Sequence, residues 1–393
     1  MDTFAALKTP GSSDLPAIVA GQPEASELFQ RLVTTDEDDR MPQEDEPLAP
    51  EQISLFKRWI SEGAALDAGL PNTPLGTLAP FQPHPAPPAK YPHPAPVLAV
   101  AFSPDGERLA VSGYREINVW SRGGHLLERL TNAPPRIRAL AFHPGGGHLA
   151  AAGGQAGRSG EVSLYRLDEA RHEQTLVRTR DEMLAVAFSD DGRSLASAGS
   201  DQAIHIFDWE TRREVRTIQQ HADWVTALSF SADGKHLASA SRDRTARVYE
   251  TGSGALVTTY VAQGAPLFAV AFASDDRMAS AGKDRSIHLW KISDGKKQGE
   301  IGVGHAVHQI LIANDQLFAA CDDGSVRQFA LDNRKLVRQF SGHAGPAFAL
   351  ALAPGGERLA SGGYDGQIRV WNVSSGALEH AFFASPGFDP SAD

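Results

Sequence analysis

From about residue 92 onward, apolar and small residues alternate in short runs that return at a nearly fixed distance. Aligned on their fourth residue, AVAFSPDG, ALAFHPGG, AVAFSDDG, ALSFSADG, AVAFASDD, QILIANDQ and ALALAPGG bring Phe102, Phe142, Phe188, Phe230, Phe272, Ile312 and Leu352 into register, 40, 46, 42, 42, 40 and 40 residues apart. Alternation with a period of two is what a strand with one buried face requires. Each unit turns at Asp-Gly or Gly-Gly, continues as a run such as LASGG, turns again at an Asp, runs on as IRVW or IHLW, and ends in a segment such as GALVTTY or RKLVRQF. Four short strands in 40 to 46 residues make one propeller blade, and seven units suffice to close a ring. The pattern predicts a mainly all-β fold, a seven-bladed β-propeller over 92–387. Because the last unit has its own fourth-strand candidate at 377–383, the ring is expected to close without a strand borrowed from the N-terminus, by side-chain packing between blades one and seven.

Ahead of the repeats the period changes to that of a helix. EASELFQRLV and PEQISLFKRWISEG carry apolar residues at three- and four-residue spacing; the second opens on Pro50 and Glu51, places Ile53, Phe56, Trp59 and Ile60 on one stripe and ends at Gly63. A small α-helical segment is expected over 1–70, two short helices separated by an acidic loop. Ten of the 25 prolines lie between Pro71 and Pro96. With φ fixed and amide donors missing, such a stretch favours an extended, stiff connector, read here as 71–91. Residues 388–393 are expected to form a disordered tail.

Composition narrows the function. With 41% hydrophobic and 22% charged residues in 393, the chain has ample material for a buried core. The net charge of −11 is concentrated in residues 1–70, which carry −9. A near-neutral body behind an acidic head offers no cationic footprint for nucleic acid. No run of 18 apolar residues predicts a membrane span, and MDTFAALKTPGSSD lacks the basic and apolar regions of an export signal. As written the chain is expected in the cytoplasm, or in the periplasm or cell envelope if its start lies upstream. Cys321 is the one cysteine, so it can form no intrachain disulfide and is read as a buried, inert thiol. Gly153 to Gly160 resembles a phosphate cradle only superficially, because the strand EVSLYRL follows in place of a helix; it reads as a loop insertion. His305 and His308 form an H-x-x-H pair without a third ligand at fixed spacing, and no HExxH or G-x-S-x-G occurs. No catalytic site and no metal site are assigned.

The repeats resemble the WD-repeat proteins over roughly 92–387, most closely in GHAGPAFALALAPGGERLASGGYDGQIRVW. The resemblance implies a hydrogen-bonded chain from a Gly-His histidine, a second-strand Ser, a turn Asp and a third-strand Trp. Repeat seven supplies His343, Ser361, Asp365 and Trp371; repeat four supplies His221, Ser239, Asp243 and Tyr249. Elsewhere the set decays: Gln263 stands in the His place beside Asp284 and Trp290, repeat three keeps Asp201 with Phe207, repeat six keeps His305 and Asp323 with Phe329, and repeat one has His93 and Trp120 but no turn Asp. Loss of the network is expected to lower the stability of those blades. The family docks partners at the end of the disc where the turn residues lie, which here are Arg242, Arg244, Lys283, Arg285 and Tyr364, with Trp224 ahead of VTALSF. Trp beside Arg is the composition of an interface hot spot.

GQPEASELFQRL followed by DEDDRMPQEDEPLAPEQISLFKRWISEGA resembles the C-terminal part of planctomycete-type c-type cytochrome domains. The resemblance implies that Met41, in an Arg-Met-Pro loop, is an axial haem ligand. The C-x-x-C-H motif that would hold the haem is missing, so no cofactor is expected on this chain and haem c only in a longer form. The expected role is a non-catalytic protein–protein interaction scaffold; the alternative is an electron-transfer cytochrome fused to a propeller. The charges also allow the loop Asp36 to Glu46 to fold back on the Arg242 and Arg285 rim.

Overall fold

Seven antiparallel four-stranded sheets follow one another along the chain, each built from four consecutive strands. The computed structural model describes residues 4–9, 16–36, 38–42, 46–65 and 84–388. These fall in two units, Met1–Gln82 and Pro83–Asp393.

In the first unit the two expected helices form as α2 (Glu27–Val33) and α3 (Pro50–Ser61), and a short helix that was not expected, α1 (Phe4–Leu7), precedes them. Pro50 sits at the first turn of α3, where its missing amide has no helical partner to lose, and the Gln52 side chain accepts the Ala49 amide at 2.9 Å. Ile18, Phe29, Ile60 and Ala64 make the core, with Ile53 and Trp59 of the predicted stripe packed against it.

In the second unit the blade repeat is complete. Blade one comprises Val100–Phe102, Arg108–Ser112, Ile117–Ser121 and Leu126–Leu130, and blade seven comprises Ala347–Leu352, Arg358–Gly363, Gln367–Asn372 and Leu378–Phe383. Apolar residues of neighbouring blades interdigitate in seven clusters, one at each seam. A single blade leaves both faces uncovered, so burial comes only from neighbours. In all seven blades the pairing of third and outer strands slips by one residue just before the aromatic at the Trp place, for instance between Val370 and Trp371. The extra residue lies on the outer strand, and such a bulge blunts an exposed edge against pairing with other chains. The Gly-rich insertion of blade two is a lengthened hairpin, His148–Gln155 and Ser159–Arg166, where a loop was expected. Gly153 is needed there, since a Cβ would lie 2.1 Å from the Arg136 carbonyl.

The ring closes as the sequence predicts, with Leu378–Phe383 as blade seven's own outer strand. Val97, Val100, Val111 and Trp120 pack on Ala349, Ala360, Ile368 and Val370, and Trp120 meets Phe382 at 4.6 Å between ring centres. Polar bonds reinforce the seam: the Val97 amide donates to the Gly363 carbonyl at 3.0 Å, Asn118 to the Ala384 carbonyl at 3.2 Å, and the Ala95 amide to Ser385 Oγ at 2.9 Å.

The last residues of the expected connector, 84–91, are tied down. Residues 66–83 lie outside the described residues, as do 389–393 of the expected tail, but from His84 the chain is a strap fastened to the propeller. The His84 amide donates to Asn132 Oδ1 at 2.8 Å, Arg129 donates to the Pro88 carbonyl at 2.7 Å, and the Tyr91 hydroxyl donates to Glu116 Oε1 at 2.6 Å. An extended proline-rich run leaves few of its own amides to satisfy, so it can lie across blade turns with only a few anchoring bonds. Burial, with the Glu116 hydrogen bond added, pushes the Tyr91 phenol well above its usual range and keeps it a donor. Replacing Tyr91 by Phe leaves the ring and leaves the buried Glu116 one donor short; urea unfolding is expected to show a loss of about 1–3 kcal/mol. An unchanged midpoint would contradict the strap's role.

Candidate interaction face

The turns joining second to third strands, and the loops entering each first strand, lie at one end of the disc. There the predicted chain of repeat seven is complete. Trp371 Nε1 donates to Ser361 Oγ at 3.0 Å, Ser361 lies 2.9 Å from His343 Nε2, and His343 Nδ1 lies 3.0 Å from Asp365 Oδ1. An ionised carboxylate only accepts, so His343 carries its proton on Nδ1 and takes the serine proton's hydrogen bond on Nε2. Repeat four repeats this with His221 2.8 Å from Asp243 and 2.7 Å from Ser239. Tyr249 fills the indole's place in the core, but its buried hydroxyl has no hydrogen-bond partner. Burial alone would raise both aspartates; the hydrogen bonds from the histidines outweigh it and hold Asp365 below, and Asp243 well below, the usual carboxylate range.

The decayed repeats are less depleted than the sequence suggests. In blade five Gln263 restores the network. Trp290 Nε1 donates to Ser280 Oγ at 3.1 Å, Ser280 donates to Gln263 Oε1 at 2.7 Å, and Gln263 Nε2 donates to Asp284 at 3.2 Å. A carboxamide, like a neutral imidazole, presents one acceptor and one donor side, so the polarity of the chain is preserved. Blade one substitutes Glu116, fully buried and held by Arg129 at 2.6 Å and by Tyr91 of the strap. Blade two substitutes Glu161, paired with His84 of the strap at 2.9 Å. Blade three pairs Asp201 with His205 at 2.9 Å, and His205 also meets Glu214 at 2.8 Å. Blade six has Ala319 in the serine place, and His305 sits 3.4 Å from Asp323 without a relay. The hydrogen-bonded chain is therefore broken in blade six and kept in blade five. His84, Tyr91, Glu116 and Glu161 were missed; the signal was a Glu at the start of the third strand, four residues before the aromatic at the Trp place, in EINVW and EVSLY.

The predicted rim residues take up two kinds of position. Trp224 and Arg242 come together, the guanidinium 4.2 Å from the ring centre and 3.8 Å from Asp223. Arg244 and Arg285 are exposed and adopt left-handed φ of 70° and 65°, where blades six and seven use Gly324 and Gly366. Lys283 is exposed beside Asp284, and Tyr364, 60% exposed, stands on blade seven.

At the centre of this end lies the channel mouth, about 400 Å³. One residue from the same repeat position of every blade lines it: Leu98, Arg138, Leu184, Thr226, Phe268, His308 and Phe348. His308 stacks on Phe268 at 6.0 Å, meets Phe348 edge-on at 5.1 Å and bonds Asp322 at 3.0 Å, apart from His305. Among the described residues no group of three His, Cys, Asp or Glu could hold a metal ion. The Thr226 hydroxyl donates to the carbonyls of Ala240 and Leu267 at 3.1 and 2.9 Å and has no base beside it. Burial pushes the Cys321 thiol up to about 11, which keeps it protonated and unreactive. In the other unit Met41 is 37% exposed, its amide donating to the Arg31 carbonyl at 2.9 Å.

Residues 87–121, 172–208, 212–250, 254–291 and 334–372 match the family described as WD domain, G-beta repeat, and residues 1–45 match Planctomycete cytochrome C. Much of blade two and nearly all of blade six fall outside those segments, yet both blades are complete. The chain is 37% identical over 81 residues to Protein groucho of Drosophila melanogaster, covering 19% of this chain and 11% of that protein. It is 30% identical over 105 residues to WD repeat-containing protein 36 of Homo sapiens, 26% of this chain and 12% of that one. Over 72 residues it is 37% identical to Transducin-like enhancer protein 2 of Mus musculus, 18% and 9%. It thus spans about a tenth of each relative's length.

Two outcomes follow from the networks. Gln263→His should leave the melting temperature nearly unchanged, whereas Gln263→Leu, which strands Ser280 and Asp284, should cost about 1–3 kcal/mol in chemical unfolding; equal effects would contradict the relay. Burial opposes the charged form of His205, but Asp201 and Glu214 outweigh it and raise its pKa to about 9. A raised histidine stabilises fully below its unfolded value near 6.5 and loses that contribution as pH rises through 9. Unfolding free energy should therefore fall over that window, and His205→Gln should flatten that part of the profile.

Proposed function

The chain is a WD-repeat propeller with a planctomycete-cytochrome-type head, and on that premise we propose that it is a non-catalytic scaffold that binds a protein partner on the end of the disc bearing Trp224, Arg242, Arg244, Lys283, Arg285 and Tyr364. The observation that carries this is the mouth itself: seven side chains from one repeat position converge, mostly apolar, with aromatic and cationic residues around them and no nucleophile beside a base. Arg244 and Arg285 add support. Each holds a backbone conformation that glycine takes in blades six and seven, at a cost of order 1 kcal/mol, and each puts an exposed cation on the face.

A second reading is favoured by the match of residues 1–45 to Planctomycete cytochrome C: the head is the distal part of an electron-transfer module. The donor set present does not fit covalent haem. Residues 1–82 contain neither Cys nor His, Cys321 is buried in the propeller, and a methionine thioether alone leaves the proximal position and both attachment points unfilled. Met41 could serve as axial ligand only with a C-x-x-C-H supplied from outside these 393 residues, so no electron-transfer step is assigned to the chain.

The test of the scaffold reading is affinity capture with the full chain and with a Trp224→Ala, Arg242→Ala, Tyr364→Ala variant of matched melting temperature. Truncation of hot-spot residues costs upwards of about 2 kcal/mol each, so a defined partner bound by the native chain should be lost by more than about thirtyfold. Capture of the same partner by both would refute the assigned face.

A further inference from the structure

Beside the channel mouth a groove of about 360 Å³ runs between the end of the strap and the turns of blades one, two and seven. Resting on the docking-face reading above, we propose that this groove binds an extended segment of a partner protein carrying a carboxylate next to an aromatic or branched apolar residue. Its walls are Pro96, Tyr114, Phe348 and Tyr364, and its floor carries Arg136 and Arg138.

The charge argument comes first. Arg138 Nη2 donates to Glu182 Oε2 at 2.8 Å, a close pair with a carboxylate only 2% exposed. Arg136 also turns toward Glu182 but stays at 3.8 Å with its side chain 57% exposed. One buried negative charge behind the groove is thus shared by two guanidinium groups, and no carboxylate is among the residues that line the groove itself. The floor has one positive charge in excess, held by a fork that matches a carboxylate in two parallel bonds. One excess charge on a near-neutral body is too little for a nucleic-acid backbone, which is bound by neutralising many phosphates.

The apolar argument fixes the neighbour. Tyr114 and Tyr364 are 44% and 60% exposed at the groove, rigid aromatic surfaces that lose little side-chain freedom on contact. Leu98, Arg138 and Phe348 line the channel mouth as well as the groove, so the two cavities are continuous. A carboxylate over Arg136 would leave the adjoining side chain of an extended ligand free to reach Phe348 and the mouth. Pro96 has no amide hydrogen, so the strap wall there presents apolar ring surface to the ligand.

The experiment selects random twelve-residue peptides displayed on phage against the full chain, then measures the best binder by fluorescence anisotropy. The selected peptides should share Asp or Glu beside Phe, Trp or Leu. Arg136→Glu and Tyr364→Ala should each weaken binding at least tenfold, Arg136→Gln by less, and Val257→Ser on an outer strand should have no effect. Arg136 is exposed and Arg138 keeps Glu182 paired, so Arg136→Gln and Tyr364→Ala should melt with the native chain, and Arg136→Glu is compared at a temperature where its near-ultraviolet circular dichroism is that of the native chain. Selected peptides without acidic residues, or binding indifferent to Arg136→Glu, would overturn the proposal. If binding depends on Trp224 instead, the groove assignment falls and the docking face stands; if no peptide is enriched, the groove proposal falls too, while the scaffold reading is judged separately by partner capture.

Discussion

A blade of a propeller has two apolar faces and no means of burying either by itself. Everything else in this structure depends on satisfying that constraint seven times over, including at the seam where the last blade meets the first. Six seams join neighbours along the chain, but the seventh must bring residues about 260 apart in sequence into contact, at the entropy cost of closing that loop. Valine and isoleucine from blades one and seven, together with Trp120 and Phe382, supply the burial there. At roughly 25 cal/mol per Å² of apolar area, such a cluster is the dominant favourable term, and the bonds from Val97, Asn118 and Ala95 fix its register.

The strap extends this logic. Blades one and two border that seam or its neighbour, and both lack the histidine relay that ties the entry loop to the turn in blades four and seven. Each instead buries a glutamate whose partner comes from the segment before the first strand, Tyr91 for Glu116 and His84 for Glu161. A buried carboxylate left alone would be costly, so the strap and the blades are mutually dependent. The turn is thus tied with imidazole, carboxamide, phenol or guanidinium, each pairing an acid that stands in the turn itself or at the start of the third strand. What the turn demands is a donor for that acid, and residue identity is secondary.

That is also why parts of the molecule were legible in the sequence and parts were not. Blade number, strand order and the self-completed last blade follow from alternation and spacing, because burial on a sheet face has a period that any apolar residue can satisfy. The complete networks of His343 and His221 follow from a motif. Gln263 was read as a loss because pattern matching sees the residue type and not the donor and acceptor it carries. His84 and Tyr91 were hidden by the prolines around them, whose composition says connector while two side chains in the run say anchor. Arg138, Phe268, His308 and Phe348 were readable in principle, as the column four residues before Phe102 and its equivalents. Nothing local marks that column as the channel mouth until the ring is closed.

Hydrogen exchange of single amides tests this account of closure. If strap, seam and blades form one cooperative ring, the amides of Ala95 and Val97 should exchange with the same opening free energy as those in the inner strand of blade four, Val225–Phe230. Exchange of Ala95 and Val97 orders of magnitude faster, with blade four still protected, would mean that the seam opens by itself and that the ring is held by something other than its own closure.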